Sequence, residues 1–302
     1  MTLVVLAAGM GSRYGGLKQL DPFTPCGEFL TDFSAYDAHI SGFDRVVFVI
    51  KPENEEIFRR TVGARVEKKM EVLYAYQTAD RFVPASFSGK REKPWGTGHA
   101  LLCCDGLFNG NFMMINCDDL YGRGTYRVAA EHLRALPPSS IDFAMCAFAL
   151  RNTLAEVGSV ARGICEVKDG ELSSITERTQ IYEEASVMAP PAIVSDDGLS
   201  PRILPTDSVA SMNSWCFTEA IFPILREYFT DFVLTLDKEK EAKSEFYLPA
   251  AVDRAMKEGR CRVKVLSSDE KWFGVTYKGD KERVTAHLAD LTEKGVYPSP
   301  LF

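Results

Sequence analysis

Five short apolar runs, at residues 3–7, 46–50, 72–76, 112–116 and 143–148, alternate with stretches whose apolar residues recur every three or four positions. Runs of this length with flanking helical periodicity are the pattern of strand-helix-strand units, in which buried parallel strands are joined by helices packed on both faces of the sheet. Helices are expected at 33–41, 53–62, 98–104 and 125–135, because their apolar residues fall on one face. The expected architecture is therefore an α/β fold, a three-layer doubly wound and mainly parallel sheet. The second half is less regular. Strands are expected at 163–167 and 172–175, joined by a Lys168-Asp169-Gly170 turn, and at 212–217, with helices at 219–229, 246–257 and 281–294. Residues 178–209, carrying five of the prolines and glycines and little periodicity, are expected to form a long loop. The charged run 237–245 fits a solvated helix start or linker.

A chain of 302 residues with 46% hydrophobic composition can bury a large core, and it is expected to be one domain. Its parts would be a first half at 1–150, a second half at 151–277, and a C-terminal helix and tail at 278–302. Thirty-five basic against 42 acidic side chains give a net charge of -7, which argues against general attraction to nucleic acid or an anionic membrane. The eight cysteines form no C-x-x-C pair, so neither a metal knuckle nor a disulfide framework is indicated. The apolar start lacks a basic flank and breaks at Gly9, unlike a secretion signal, and no run reaches the length of a membrane span. A cytoplasmic location is expected.

The segment from Leu6 through Gly9, Gly11, Ser12, Arg13, Gly15 and Gly16 to Lys18 follows the first strand and places four glycines beside two cations, with no acid before Asp21. Glycines let main-chain N–H groups turn inward and approach closely, as a polyphosphate requires. A Rossmann dinucleotide loop is disfavoured, since Tyr14 stands where a third glycine would, and the second strand ends in Ile50-Lys51 rather than an acid. A P-loop is disfavoured because Lys18 is not followed by Ser or Thr.

The string LAAGMGSRYGGLKQL resembles the signature loop of the sugar-phosphate nucleotidyltransferases, the family that includes glucose-1-phosphate thymidylyl- and uridylyltransferases. Pro94-Trp95-Gly96-Thr97-Gly98-His99-Ala100 is similar to the segment lining base and ribose, and Gln77 sits where a base-reading amide is usual. Asn116-Cys117-Asp118-Asp119 resembles the family's metal-binding turn, and Thr176-Glu177-Arg178 its sugar and phosphate clamp. Met212-Asn213-Ser214-Trp215-Cys216-Phe217 is similar to the sugar-contacting strand, and Phe246-Tyr247-Leu248-Pro249 to the helix start after it. The resemblance implies a nucleotide-diphospho-sugar transferase fold with a nucleotide-binding half at 1–150 and a sugar-phosphate-binding half at 151–277, a nucleoside triphosphate and a sugar 1-phosphate as substrates, and Mg²⁺ as cofactor; it admits a homo-oligomer without fixing the subunit count. One departure stands out: Gly274 occupies the place of a second metal-binding aspartate, two residues after Trp272.

The implied reaction is in-line attack of a phosphate oxygen on the α-phosphorus of the triphosphate, with pyrophosphate leaving. A phosphate monoester with a second pKa of about 6 is already largely ionised, so the site must align two anions and neutralise charge rather than supply a base. By the resemblance, Arg13, Lys18 and Asp118 would be catalytic, and Asp118 would hold the metal with Asp119 assisting. Leu6, Ala8, Gly9, Gly11, Ser12, Gln77, Gly96, Thr97 and Gly98 would bind the nucleotide. Gly163, Glu177, Arg178, Asn213 and Trp215 would bind the sugar phosphate. Plainer readings stand beside these: Asp118 or Asp119 as a helix cap, Glu177 and Arg178 as a surface ion pair, and Trp215 and His99 as core residues. A binding or sensor protein without catalysis, and a transferase acting on a non-sugar phosphate, are the alternative functions.

Overall fold

β-Branched and leucine side chains on both faces of a strand can be buried only if helices cover both faces, and the first half of the chain is built this way. The computed structural model describes residues 1–9, 21–87, 89, 91, 93–155, 158–185, 191–236, 244–274 and 278–302. The chain runs through β1 (Thr2–Leu6), α1 (Leu30–Ile40) and β2 (Arg45–Ile50). Two short helices, α2 (Glu55–Phe58) and α3 (Ala64–Val66), then flank a π turn, followed by β3 (Glu71–Tyr76) and α4 (Thr97–Leu102). Next come β4 (Phe112–Asn116), β5 (Asp119–Leu120), α5 (Arg123–Ala135) and β6 (Asp142–Ala149). The second half supplies β7 (Val160–Lys168), β8 (Glu171–Glu184), β9 (Ala192–Ser195), β10 (Val209–Phe217), α6 (Ile221–Leu234) and α7 (Leu248–Lys257). It ends with β11 (Arg262–Ser268), β12 (Phe273–Gly274) and α8 (Lys278–Glu293).

One ten-stranded sheet runs β3-β2-β1-β4-β10-β6-β11-β8-β7, with β9 added on β8, while β5 and β12 form a separate two-stranded ribbon. Strands β3, β2, β1 and β4 are parallel, as expected. The expectation of a mainly parallel sheet fails beyond β4. β10 lies antiparallel between β4 and β6, the β7–β8 hairpin is antiparallel, and β6–β11 is the other parallel pair. The sheet is mixed because β7, β8 and β9 follow one another without helical crossovers and pair as hairpins, which produce antiparallel neighbours, and because β10 enters antiparallel between β4 and β6. The expected loop at 178–209 is corrected too: β8 continues to Glu184 and pairs with β9, burying Ile181, Ile193 and Val194. Its alternation was masked by the prolines on either side.

Alternate residues of β1 feed two cores. Leu3, Val5 and Ala7 pack with Ala35, Ala129 and Leu133 on the α1 and α5 side. Val4 packs with Leu101, Leu225 and Val252 on the α4, α6 and α7 side. A third cluster joins Phe23, Phe33, Phe273, Leu288 and Tyr297, so the C-terminal segment lies against α1. This seam also carries buried charge. Asp37 of α1 is fully buried and takes hydrogen bonds from Arg123 Nε at 2.9 Å and the Tyr297 hydroxyl at 2.6 Å. Arg123 reaches on to the Val296 carbonyl at 2.7 Å, and Leu301 N donates to Glu28 at 2.7 Å. Among the described residues no helix is long and apolar enough to cross a membrane.

Candidate active site

The carboxyl end of β4 is the centre of a side-chain network that ties three strands together. Asn116 Nδ2 donates to Asp119 Oδ2 at 2.9 Å, and Asn116 Oδ1 accepts from Asn213 Nδ2 at 2.8 Å. The Tyr121 hydroxyl accepts from Asn116 N and lies 3.1 Å from Asp119 Oδ2 and 3.0 Å from the Met212 carbonyl, with one proton to share between them. Asn213 can take part because β10 is bulged between Ser211 and Trp215, with Asn213 in the left-handed region at φ 57°. Bulges re-aim side chains at the edges of sites, and asparagine tolerates this conformation better than most residues. The indole of Trp215 donates to Asn213 Oδ1 at 3.1 Å, which locks the amide.

Beside this network is a cavity of about 700 Å³, lined by Asn116, Asp119, Arg162, Glu177, Asn213 and Asp253 among others. Gly163 lies at its floor in register with Glu177 and Ser211, and a Cβ there would stand 2.9 Å from Ile175 Cγ2. Partial burial raises the Glu177 carboxyl above its ordinary range, opposed by the Arg162 guanidinium.

The structure does not bring all the expected residues together. Gly11, Ser12, Arg13 and Lys18 lie outside the described residues, while Leu6, Ala8 and Gly9 form the end of β1 and the turn beyond it. Asp119, Glu177, Gly163, Asn213 and Thr97 line the cavity, and Asp118 is half-buried just before Asp119. Arg178 does not reach it. Successive residues of a strand point to opposite faces, so with Glu177 in the cavity Arg178 turns away and forms a forked pair with Asp197, at 2.6 and 3.0 Å. It also donates to the carbonyls of Leu199 and Pro201. Trp215 is fully buried and stacked on Phe217 at 5.9 Å, a core residue that acts on the site only through Asn213. Arg162 is the residue the motif comparison missed. Its sole sequence signal is its place beside Gly163 on the same strand.

The Trp95–Gly98 segment owes its glycines to packing. A Cβ on Gly96, at φ +99°, would stand 2.9 Å from the Phe246 carbonyl, and one on Gly98 would stand 2.7 Å from the Phe246 ring. Gly98 N donates to the Phe246 carbonyl at 2.9 Å, and Leu248 N donates to Thr97 Oγ1 at 3.1 Å, joining α4 to the start of α7. Gln77 is buried and gives its amide N–H to the Gly96 carbonyl at 2.9 Å. The His99 ring is fully buried: Nε2 donates to the Arg81 carbonyl at 2.8 Å and Nδ1 faces the Gln77 amide at 3.3 Å.

Burial holds the His99 pKa down to about 4, so the ring is neutral in the folded protein at neutral pH. The unfolded chain takes up this proton first as the pH falls, and the stabilisation is lost between about pH 6.5 and 4, by about 3 kcal/mol. Asp37 works in the opposite direction. Its carboxyl is pushed up to about 6 by burial, so the folded chain protonates before the unfolded one as the pH falls from about 6 to about 4. Urea midpoints measured from pH 7 to pH 4 should therefore fall less steeply in His99→Gln than in the wild type, and more steeply in Asp37→Asn. Parallel curves for all three proteins would show that neither group carries the dependence.

Two carboxylates at the end of β4, Asp118 and Asp119, fit a hard cation that keeps several waters and shares its other ligands with phosphates. They do not extend to a closed cage. Among the described residues there is no group of three His, Cys, Asp or Glu side chains placed to hold a metal. Gly274 pairs with Asp119 across the β5–β12 ribbon, and its missing Cβ would stand 3.2 Å from Asp119 Oδ1, so the departure seen in sequence falls at this very corner. The space is not vacant: the same Cβ would be 2.2 Å from Trp272 Cη2. Gly274→Asp should therefore destabilise the fold by about 1–3 kcal/mol through forced displacement of the indole and a second carboxylate beside Asp119. Thermal melts check this, and an unchanged or higher Tm would refute it.

No family model matches this chain, and no curated protein matches it in sequence. Solved structures match it along nearly its whole length. A UDP-glucose pyrophosphorylase in complex with UDP-glucose superposes with a TM-score of 0.60 at 16% identity, over 96% of this chain and 98% of that one. The inositol-1-phosphate CTP transferase of T. maritima gives 0.59 at 12% identity, over 97% and 96%. A putative glucose-1-phosphate thymidylyltransferase from Bacillus anthracis, in complex with a sucrose, gives 0.58 at 14% identity, over 95% and 94%.

Proposed function

This chain has the fold of those nucleotidyltransferases, and we propose that it shares their class of reaction: transfer of a nucleotidyl group from a nucleoside triphosphate to a sugar 1-phosphate, releasing pyrophosphate. The observation that carries the reading is the cavity itself. It opens beyond the carboxyl ends of the central strands, where α/β sheets bind ligands, and it sets hydrogen-bonding groups from both halves of the chain around one space. Asn116 and Asp119 come from the first half, and Glu177, Asn213 and Asp253 from the second.

In this reading the glycine-rich loop after β1 wraps the triphosphate, with Arg13 forked on the β- and γ-phosphates and Lys18 near the α-phosphate. Glu177, Asn213 and Asp253 accept and donate to the hydroxyls of the acceptor. The network through Asn116, Tyr121 and Asn213 keeps these groups in place before the substrates arrive, which lowers the cost of alignment. Asp118, with Asp119 through water, would hold Mg²⁺, which neutralises charge on the phosphates when bound. Mixing the protein with a panel of triphosphates and sugar 1-phosphates in the presence of Mg²⁺ should release pyrophosphate from at least one pair. Silence across the panel sinks the reading.

A second reading has an observation of its own. One of the three structural neighbours is described as acting on inositol 1-phosphate, a cyclic polyol rather than a sugar. Turnover with polyol phosphates but not sugar phosphates would decide for that acceptor class.

A further inference from the structure

The cavity lining holds three carboxylates, of Asp119, Glu177 and Asp253, against one cation, the guanidinium of Arg162. Among the described residues, an acceptor phosphate entering this space has one partner there of opposite charge. Arg178, to which the motif pointed, is spent on Asp197 and two carbonyls.

Arg162 is held in a way that suits an anion. Its guanidinium lies over the Trp272 ring at 4.8 Å, and its terminal nitrogens donate to the carbonyls of Ala161, at 2.8 Å, and Thr153. It makes no ion pair within 4.0 Å among the described residues, so Asp119 and Glu177 act on it across a gap. Two donors of the stacked pair, Arg162 Nε and Trp272 Nε1, are buried with no acceptor among the described residues. Unsatisfied buried N–H groups are costly and call for an acceptor. A planar fork, fixed by stacking and partly desolvated, matches phosphate oxygens in both geometry and charge.

We infer that Arg162, and not Arg178, holds the phosphate of the acceptor and thereby selects phosphorylated acceptors for this cavity. The assignment rests on the nucleotidyl-transfer reading for the identity of the acceptor, while the anion site stands on the geometry alone. It also gives Gly274 a role: without a side chain there, Trp272 can lie under the guanidinium beside Asp119.

Trp272, stacked on the Arg162 guanidinium, and Trp215, bonded to Asn213, both report on the site. Tryptophan fluorescence of the full chain is titrated with inorganic phosphate and with glucose 1-phosphate. A saturable change is expected in the wild type and in Arg178→Gln. Arg162→Gln should bind at least about tenfold more weakly, the loss of one charge-assisted contact, and Arg162→Lys should fall between the two. Wild-type affinity in folded Arg162→Gln overturns the inference, as does a wild type with no saturable change. If the glutamine variant does not fold, undiminished affinity in Arg162→Lys overturns it instead. The titration needs no turnover, so a protein that binds phosphate through Arg162 yet releases no pyrophosphate refutes the proposed reaction and leaves the anion site standing.

Discussion

Arg123→Ala should lower the stability of the protein by about 3–5 kcal/mol. The reason is the position of Asp37. Its side chain is fully buried in α1, and its partners are Arg123 from α5 and the Tyr297 hydroxyl from the C-terminal segment. Removing the guanidinium leaves a buried carboxylate with one neutral donor, and it also releases the Val296 carbonyl that anchors the tail. Part of the cost is recoverable, because Asp37 can take up a proton. The loss should therefore be greater at pH 8 than at pH 5, and Asp37→Asn in the same chain should restore much of it. Urea unfolding of the two single variants and the double variant measures both effects. An Arg123→Ala protein within about 1 kcal/mol of the wild type would mean that the pair contributes no more than an exposed one.

Asp118→Ala should reduce kcat for pyrophosphate release by about two to three orders of magnitude while changing the KM for the acceptor little. That magnitude is typical when a preorganised electrostatic group facing developing charge is removed. The carboxylate belongs to the turn between β4 and β5, and the neighbouring Asp119 is already engaged by Asn116 and Tyr121. Asp119 is therefore less free to replace Asp118 than its position in the sequence suggests. With Gly274 opposite, no carboxylate on β12 compensates. Steady-state rates over a range of Mg²⁺ concentrations test the role. A kcat within threefold of the wild type at saturating Mg²⁺ would remove Asp118 from the catalytic machinery.

The parallel half of the sheet was legible in the sequence because its inner strands β1, β2 and β4 are buried on both faces, and a continuous apolar run needs no partner to be recognised. β4 was found at its observed bounds, and β1 and β2 to within a residue at either end. The glycine at 274 was legible as a departure from the motif, and it falls opposite Asp119; most of the glycine-rich segment lies outside the described residues. Long-range packing hid other things. Gly96 and Gly98 looked like ligand-facing glycines, yet what excludes a Cβ at each is Phe246, about 150 positions away in the chain. Residues 192–195 read as loop between prolines, yet they pair with β8 and bury three side chains.

What the sequence determined alone was local: where most strands and helices lie, to within a few residues, and that a glycine stands at 274 where the motif has an aspartate. Only the tertiary structure decided which of two arginines meets the cavity. Glu177 and Arg178 are adjacent in the chain, and a strand's alternation guarantees that they face opposite ways, but which face is the cavity depends on how β7, β8 and β10 pair. That pairing sets Arg162 opposite Arg178, yet Arg178 is drawn off by Asp197, whereas Arg162, next to a register shift in β7, lies over Trp272 and borders the cavity. The separate β5–β12 pairing places Gly274 against Asp119.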